Sequence, residues 1–72
     1  MKKIKKIKIK VNGKVKSVTE NYKISDLVKD LKIPLKKVAI ELNQEIIDKK
    51  KISKITLKKD DKMEIVHFIG GG

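Results

Sequence analysis

The sequence has 72 residues and a formal net charge of +11, from 20 basic side chains, all lysine, against nine acidic ones. That length holds one small core and no second. Cysteine is absent and His67 is the single histidine, which removes disulfides, thiolate catalysis and iron–sulfur or zinc–cysteine sites and leaves little from which to build a protein-only metal centre. Apolar runs reach only two or three residues, too short for a membrane-crossing helix. The basic start Met1-Lys2-Lys3-Ile4 is followed by neither an apolar block nor a small-residue cleavage site, so no secretory leader is read and the cytoplasm is the expected location.

In chain order, Ile4 to Val18 reads as a β-hairpin. Ile7, Ile9 and Val11 alternate with Lys6, Lys8 and Lys10, the period of a strand with one wet face. Asn12-Gly13 is the turn, since both residues tolerate positive φ. A strict two-residue turn sets Val15 opposite Lys10 on the wet side; a bulge at Gly13 sets it on the Ile9 side, and the sequence leaves the register open. A short helix follows, with Ser25 as the expected cap, Asp26 at the positive end of the dipole, and Leu27, Val28 and Leu31 as one apolar stripe. Pro34 is the expected stop. Two helical turns do not stand alone in water, so this helix must lie on a sheet. Val38 to Leu42 is a third strand, Asn43-Gln44 a turn and Glu45 to Ile47 a fourth strand. Asp48 to Lys54 is irregular, with Ile52 and Ile55 as core anchors. Lys58 to Asp61 is a polar turn, and Lys62 to Phe68 is the last strand, with Met63 and Ile65 inward and Glu64 and Val66 outward.

The order β-β-α-β-β-β places one main helix on a mixed sheet of four to five strands, an α+β fold of the β-grasp, ubiquitin-like type. The first and last strands, both rich in β-branched residues, are read as central neighbours. Residues 1–69 form the expected domain and residues 70–72 a flexible glycine tail.

Eight lysines and no acid fall in the first sixteen residues. Such a surface attracts anions. Nucleic-acid readers, however, bring Arg forks and aromatic platforms, whereas this chain has no Arg and only Tyr22 and Phe68 as aromatics. A solvated lysine face is the reading, and neither nucleic acid nor membrane is an expected partner. Glu41, Glu45 and Glu64 are scattered and form no acid–base pair. Ser17, Thr19, Ser25, Ser53 and Thr56 lack an activating base. Tyr22 reads as a loop anchor. The chain is not read as an enzyme.

Gly70-Gly71-Gly72 directly after a strand is hard to explain by folding, because glycine loses the most conformational entropy and buries no side chain. Without Cβ atoms it can instead enter a narrow cleft and deliver the Gly72 carboxylate. Val66 and Phe68, taken as sharing the face away from the helix, form an apolar pair beside the tail. With His67, read as an exposed residue opposite the core, they are the expected partner-docking residues.

The sequence resembles the ThiS family of sulfur carriers from thiamine biosynthesis. The resemblance runs through Ile9-Lys10-Val11-Asn12-Gly13 and through Val38 to Ile47. It is clearest in Met63-Glu64-Ile65-Val66-His67-Phe68-Ile69-Gly70-Gly71-Gly72. The family usually has Asn-Gly in place of Asn43-Gln44, Asp-Gly-Asp in place of Lys59-Asp60-Asp61, and often a Trp near Ile52. The resemblance implies that a ThiF-type adenylyltransferase uses Mg-ATP to activate the Gly72 carboxylate. A cysteine desulfurase or rhodanese-type donor then supplies sulfur, giving a thiocarboxylate that feeds a ThiG-type thiazole synthase. No cofactor or metal is expected on the chain itself, and the free carrier is expected to be a monomer. A carrier for molybdopterin or tRNA thiolation, or a ubiquitin-like protein modifier, shares the same glycine ending.

Overall fold

The computed structural model describes residues 5–68; the expected Ile4 start of the hairpin and the division into 1–69 and 70–72 lie outside them. Strand β1 (Lys6–Val11) pairs antiparallel with β2 (Lys14–Thr19). Asn12 and Gly13 between them have φ of 51° and 82°, the doubly left-handed geometry that matches the twist of a two-residue hairpin. The register is Lys10 to Val15 and Val11 to Lys14, so the turn has no bulge. Val15 therefore sits on the wet face, 63% exposed, while Ile9 and Val18 are buried.

Helix α1 spans Ile24–Asp30. It begins two residues earlier than a Ser25 cap predicts, with Lys23 at the cap position. The Ile24 and Ser25 amides donate to the carbonyls of Ile55 and Ile52, both at 3.1 Å. The Asp26 carboxylate, rather than the Ser25 hydroxyl, reaches back to accept from the Lys23 amide at 2.8 Å. The earlier start completes an i, i+3, i+4 stripe of Ile24, Leu27 and Val28, all buried. Leu31, expected in that stripe, falls after the last turn and is 44% exposed. Pro34 is not what ends the helix. The Ile33 amide bonds the Val28 carbonyl at 2.9 Å and the Lys32 amide bonds that of Lys29 at 3.2 Å. Lys32 itself takes φ of 53°. This is a Schellman ending with lysine at the position that glycine usually fills.

A 3-10 turn at Leu35–Lys37 leads into β3 (Val38–Leu42). Strand β4 (Glu45–Ile46) is one residue shorter than expected, and β5 (Lys62–His67) stops one residue before Phe68. The five strands form one sheet in the order β2-β1-β5-β3-β4. β5 runs parallel to β1 and antiparallel to β3, so the first and last strands are central neighbours and the sheet is mixed. With α1 packed on one face, this is the β-grasp arrangement that the sequence predicts.

Two turn asparagines hold β5 from opposite sides. Asn12 accepts from the Ile65 amide at 2.7 Å and donates to the Ile65 carbonyl at 3.3 Å, continuing the ladder with a side chain where β1 has ended. Asn43 accepts from the Lys62 amide at 2.9 Å and donates to the Asp61 carboxylate at 3.0 Å. The core joins Ile9, Val18 and the helix stripe to Val38, Ile40, Met63 and Ile65, with Ile52 and Leu57 closing it from the irregular segment. Ile55 is half-buried against it. Leu57 carries no periodic signal in the sequence, and its amide bonds the Tyr22 carbonyl at 2.8 Å. Tyr22 is a half-buried anchor whose hydroxyl donates to Asp30. Partial burial, then that hydrogen bond, pushes the phenol above its ordinary pKa.

Candidate functional site

Strand β5 delivers the chain to the site. Its pleat turns Met63 and Ile65 inward and leaves Glu64 and Val66 outward. Val66 is 48% exposed and pairs with Ala39 on β3. Glu64 pairs with Glu41, which pairs in turn with Ile46 on β4. Cross-strand partners share a face, so the outer surface of β5, β3 and β4 presents Val66, Ala39 and Ile46 around two carboxylates. Ile46 is 77% exposed. On β1 the same surface is a row of lysines, Lys6, Lys8 and Lys10, with Lys62 directly beside Lys10. A shallow groove of about 270 Å³ there is lined by Lys8, Lys10, Val15, Asp60 and Lys62.

His67 pairs with the buried Val38. The pleat therefore puts it on the helix side of the sheet rather than opposite the core. It is exposed there because it stands at the end of the strand. Phe68 continues the β3 pairing one step past the strand, its amide donating to the Lys37 carbonyl at 2.8 Å. Its ring is 48% exposed, and the Lys49 ammonium lies 5.3 Å from the ring centroid. The same ammonium donates to the Leu35 carbonyl at 2.5 Å. Sequence reasoning missed Lys49, which opens a run of three lysines with nothing in the spacing to single it out. The predicted reactive residue Gly72, and Gly70 and Gly71 with it, lie outside the described residues.

Among the described residues no group of three or more His, Cys, Asp or Glu side chains could hold a metal ion, and no helix is long and apolar enough to cross a membrane. What the arrangement offers is a surface: a central strand ending in an exposed apolar and imidazole segment, with the glycine sequence following it.

The ThiS family model matches residues 9–72. The chain belongs to the ThiS family. It is 40% identical over 65 residues to the sulfur carrier protein ThiS of Bacillus subtilis, covering 89% of this chain and 98% of that one. The crystal structure of the thiamine biosynthesis protein ThiS from Geobacter metallireducens superposes with a TM-score of 0.80 at 32% identity, over 92% of this chain and 100% of the other. The thiazole synthase of Paramagnetospirillum magneticum is also similar, 35% identical over 66 residues, and that of Magnetococcus marinus is 33% identical over the same length. This chain spans 92% of its own length in both matches but only 20% of either synthase. The departures from the family at Gln44 and Asp60 leave the turns in place, since these residues adopt φ of 72° and 69°.

Proposed function

We propose that this chain is the sulfur carrier for thiazole formation in thiamine biosynthesis, a protein co-substrate rather than a catalyst. The observation that carries the reading is the central strand β5 running out at His67 into Phe68-Ile69-Gly70-Gly71-Gly72, in a chain alignable over nearly the whole of a ThiS sulfur carrier. In the proposed cycle a carboxylate oxygen of Gly72 attacks the α-phosphorus of ATP held with magnesium by a ThiF-type adenylyltransferase. Pyrophosphate leaves, and the acyl adenylate remains. The terminal sulfur of a persulfide on a cysteine desulfurase or rhodanese-type donor then attacks the acyl carbon and AMP departs, leaving an acyl disulfide. A thiol reductant attacks the donor-side sulfur, is itself oxidised to a disulfide with the donor, and releases the thiocarboxylate, whereas free sulfide gives the thiocarboxylate directly. Glycine at the last three positions puts no Cβ beside the reacting carbonyl. Val66, His67 and Phe68 are the proposed docking residues, their exposed apolar surface lying next to the segment that must be inserted.

The acceptor favoured is a thiazole synthase of the ThiG type. Two proteins named thiazole synthase contain a stretch similar to almost all of this chain within about a fifth of their length. A carrier sequence joined to a synthase sequence in one polypeptide supports pairing of the two where they are separate. Molybdopterin, tRNA-thiolation and protein-modifier roles share the glycine ending, and it is the ThiS likeness through the body of the chain that favours the thiamine role.

The test is an intact-mass spectrum after incubation with a ThiF-type adenylyltransferase, Mg-ATP and a sulfide source. The expected result is a gain equal to one oxygen exchanged for sulfur, localised to Gly72 and abolished by deletion of that residue. A mass unchanged by sulfur or by AMP would overturn the proposal, as would sulfur loading that survives the deletion.

A further inference from the structure

Lys49 stands apart from the other lysines. Among the described residues only Lys49 and Lys16 are half-buried; every other lysine is exposed. Its ammonium has two partners far apart in sequence, the Leu35 carbonyl at 2.5 Å and the Phe68 ring at 5.3 Å. Phe68 is fixed a second time through its amide, which donates to the Lys37 carbonyl at 2.8 Å. Leu35 and Lys37 bound the 3-10 turn that precedes β3, and Lys49 opens the 3-10 turn after β4. Three segments thus converge on one residue, the last before Ile69-Gly70-Gly71-Gly72.

We infer that Lys49 is a positioning residue for the carrier reaction, setting the point and direction from which the glycine-bearing segment leaves the sheet. The inference rests on the proposed carrier function. A cation over an aromatic face is held by the ring quadrupole, and the carbonyl of Leu35 prevents it from swinging into solvent. With the ring held by the turn that opens at Lys49 and the amide by the turn that precedes β3, both sides of Phe68 are restrained. Restraint of this kind lowers the ordering cost when a partner receives the next four residues, because less freedom is left to lose. The other two lysines of the run have no such arrangement: Lys50 and Lys51 are exposed.

The experiment compares the full-length chain with Lys49→Met, which keeps the apolar stem, Lys49→Arg, which keeps a cation and donors, and Phe68→Leu, which removes the ring. In NMR spectra of the free chain, the Lys49 ε-methylene protons are expected upfield of those of other lysines, and Phe68→Leu abolishes that displacement. Lys49→Met is expected to lower the order parameter of the Phe68 amide. In ATP-dependent adenylation by a ThiF-type enzyme, Lys49→Met should raise the KM for the carrier roughly two- to fivefold with kcat unchanged. Lys49→Arg should restore it, and an unchanged urea midpoint separates this effect from unfolding. Unaltered Phe68 order and KM in Lys49→Met would overturn the inference, and so would failure of Lys49→Arg to rescue. A wild-type chain that is not adenylated at all overturns the carrier function and with it the role of Lys49 in that reaction; the methylene shift then still reports separately whether the contact forms.

Discussion

The two hairpin turns of this molecule use the same first residue and differ in the second. Asn12-Gly13 joins strands paired over six positions, whereas Asn43-Gln44 joins strands paired over two. All four residues lie in the left-handed region. At Gly13 that costs no steric strain. At Gln44 a β-carbon stands against the backbone, a penalty of order 1–2 kcal/mol. Yet the second turn keeps its shape, because Asn43 is fixed by its own side chain to the amide of Lys62 and the carboxylate of Asp61. Its amide also donates to the Lys62 carbonyl at 2.8 Å. The comparison teaches that the asparagine, through its bonds to the neighbouring strand, specifies these turns. The glycine after it lowers the strain.

The sharpest way to break the comparison is Asn12→Gly. Glycine accepts the backbone angle, so beyond the unfolded-state entropy common to all three glycine substitutions the loss is that of the two side-chain bonds to Ile65, from a partly buried strand position. We expect a loss of about 2–3 kcal/mol in urea unfolding. Asn43→Gly removes bonds in a more exposed setting, and the expected loss is about 0.5–1.5 kcal/mol by the same assay. If the two losses are equal, or their order reversed, the asparagines do not differ as their burial says. The smallest effect should have the opposite sign. Gln44→Gly relieves the left-handed strain at the cost of unfolded-state entropy, with an expected net gain of about 0.5–1 kcal/mol, read as a higher urea midpoint with an unchanged slope.

Much of this could be read from the sequence. The alternation of Ile7, Ile9 and Val11 with lysine, the Asn12-Gly13 turn and the inward pair Met63 and Ile65 follow from local period and turn chemistry, and they suffice to imply the sheet. The register at Val15 was not legible, because choosing between a strict turn and a bulge needs the partner strand. The helix start was misplaced for a related reason. Ser25 is a good cap in isolation, but the carbonyls of Ile55 and Ile52, from a segment with no periodicity, take up the amides of Ile24 and Ser25 and let the helix begin before it. Leu57 was hidden in that same segment. At the site, the glycine ending is a matter of composition and was plain. The side of the sheet taken by His67 was misassigned; the alternation that turns Met63 and Ile65 inward also carries His67 to that side. Lys49 was invisible, since its role depends on two 3-10 turns and a strand end meeting in space.

Strand β5 is the last strand in chain order and lies between β1 and β3. During synthesis both hairpins therefore emerge with a gap between them, each with an open edge able to pair wrongly. Neither hairpin can close the core until Met63 and Ile65 arrive to fill it. A nascent chain arrested before residue 62 accordingly lacks the strand that joins its halves and leaves its apolar surface and strand edges uncovered. Completion of the sheet and presentation of Val66, His67 and Phe68 at its end are a single event, so the sheet does not close without the segment proposed here to engage partners.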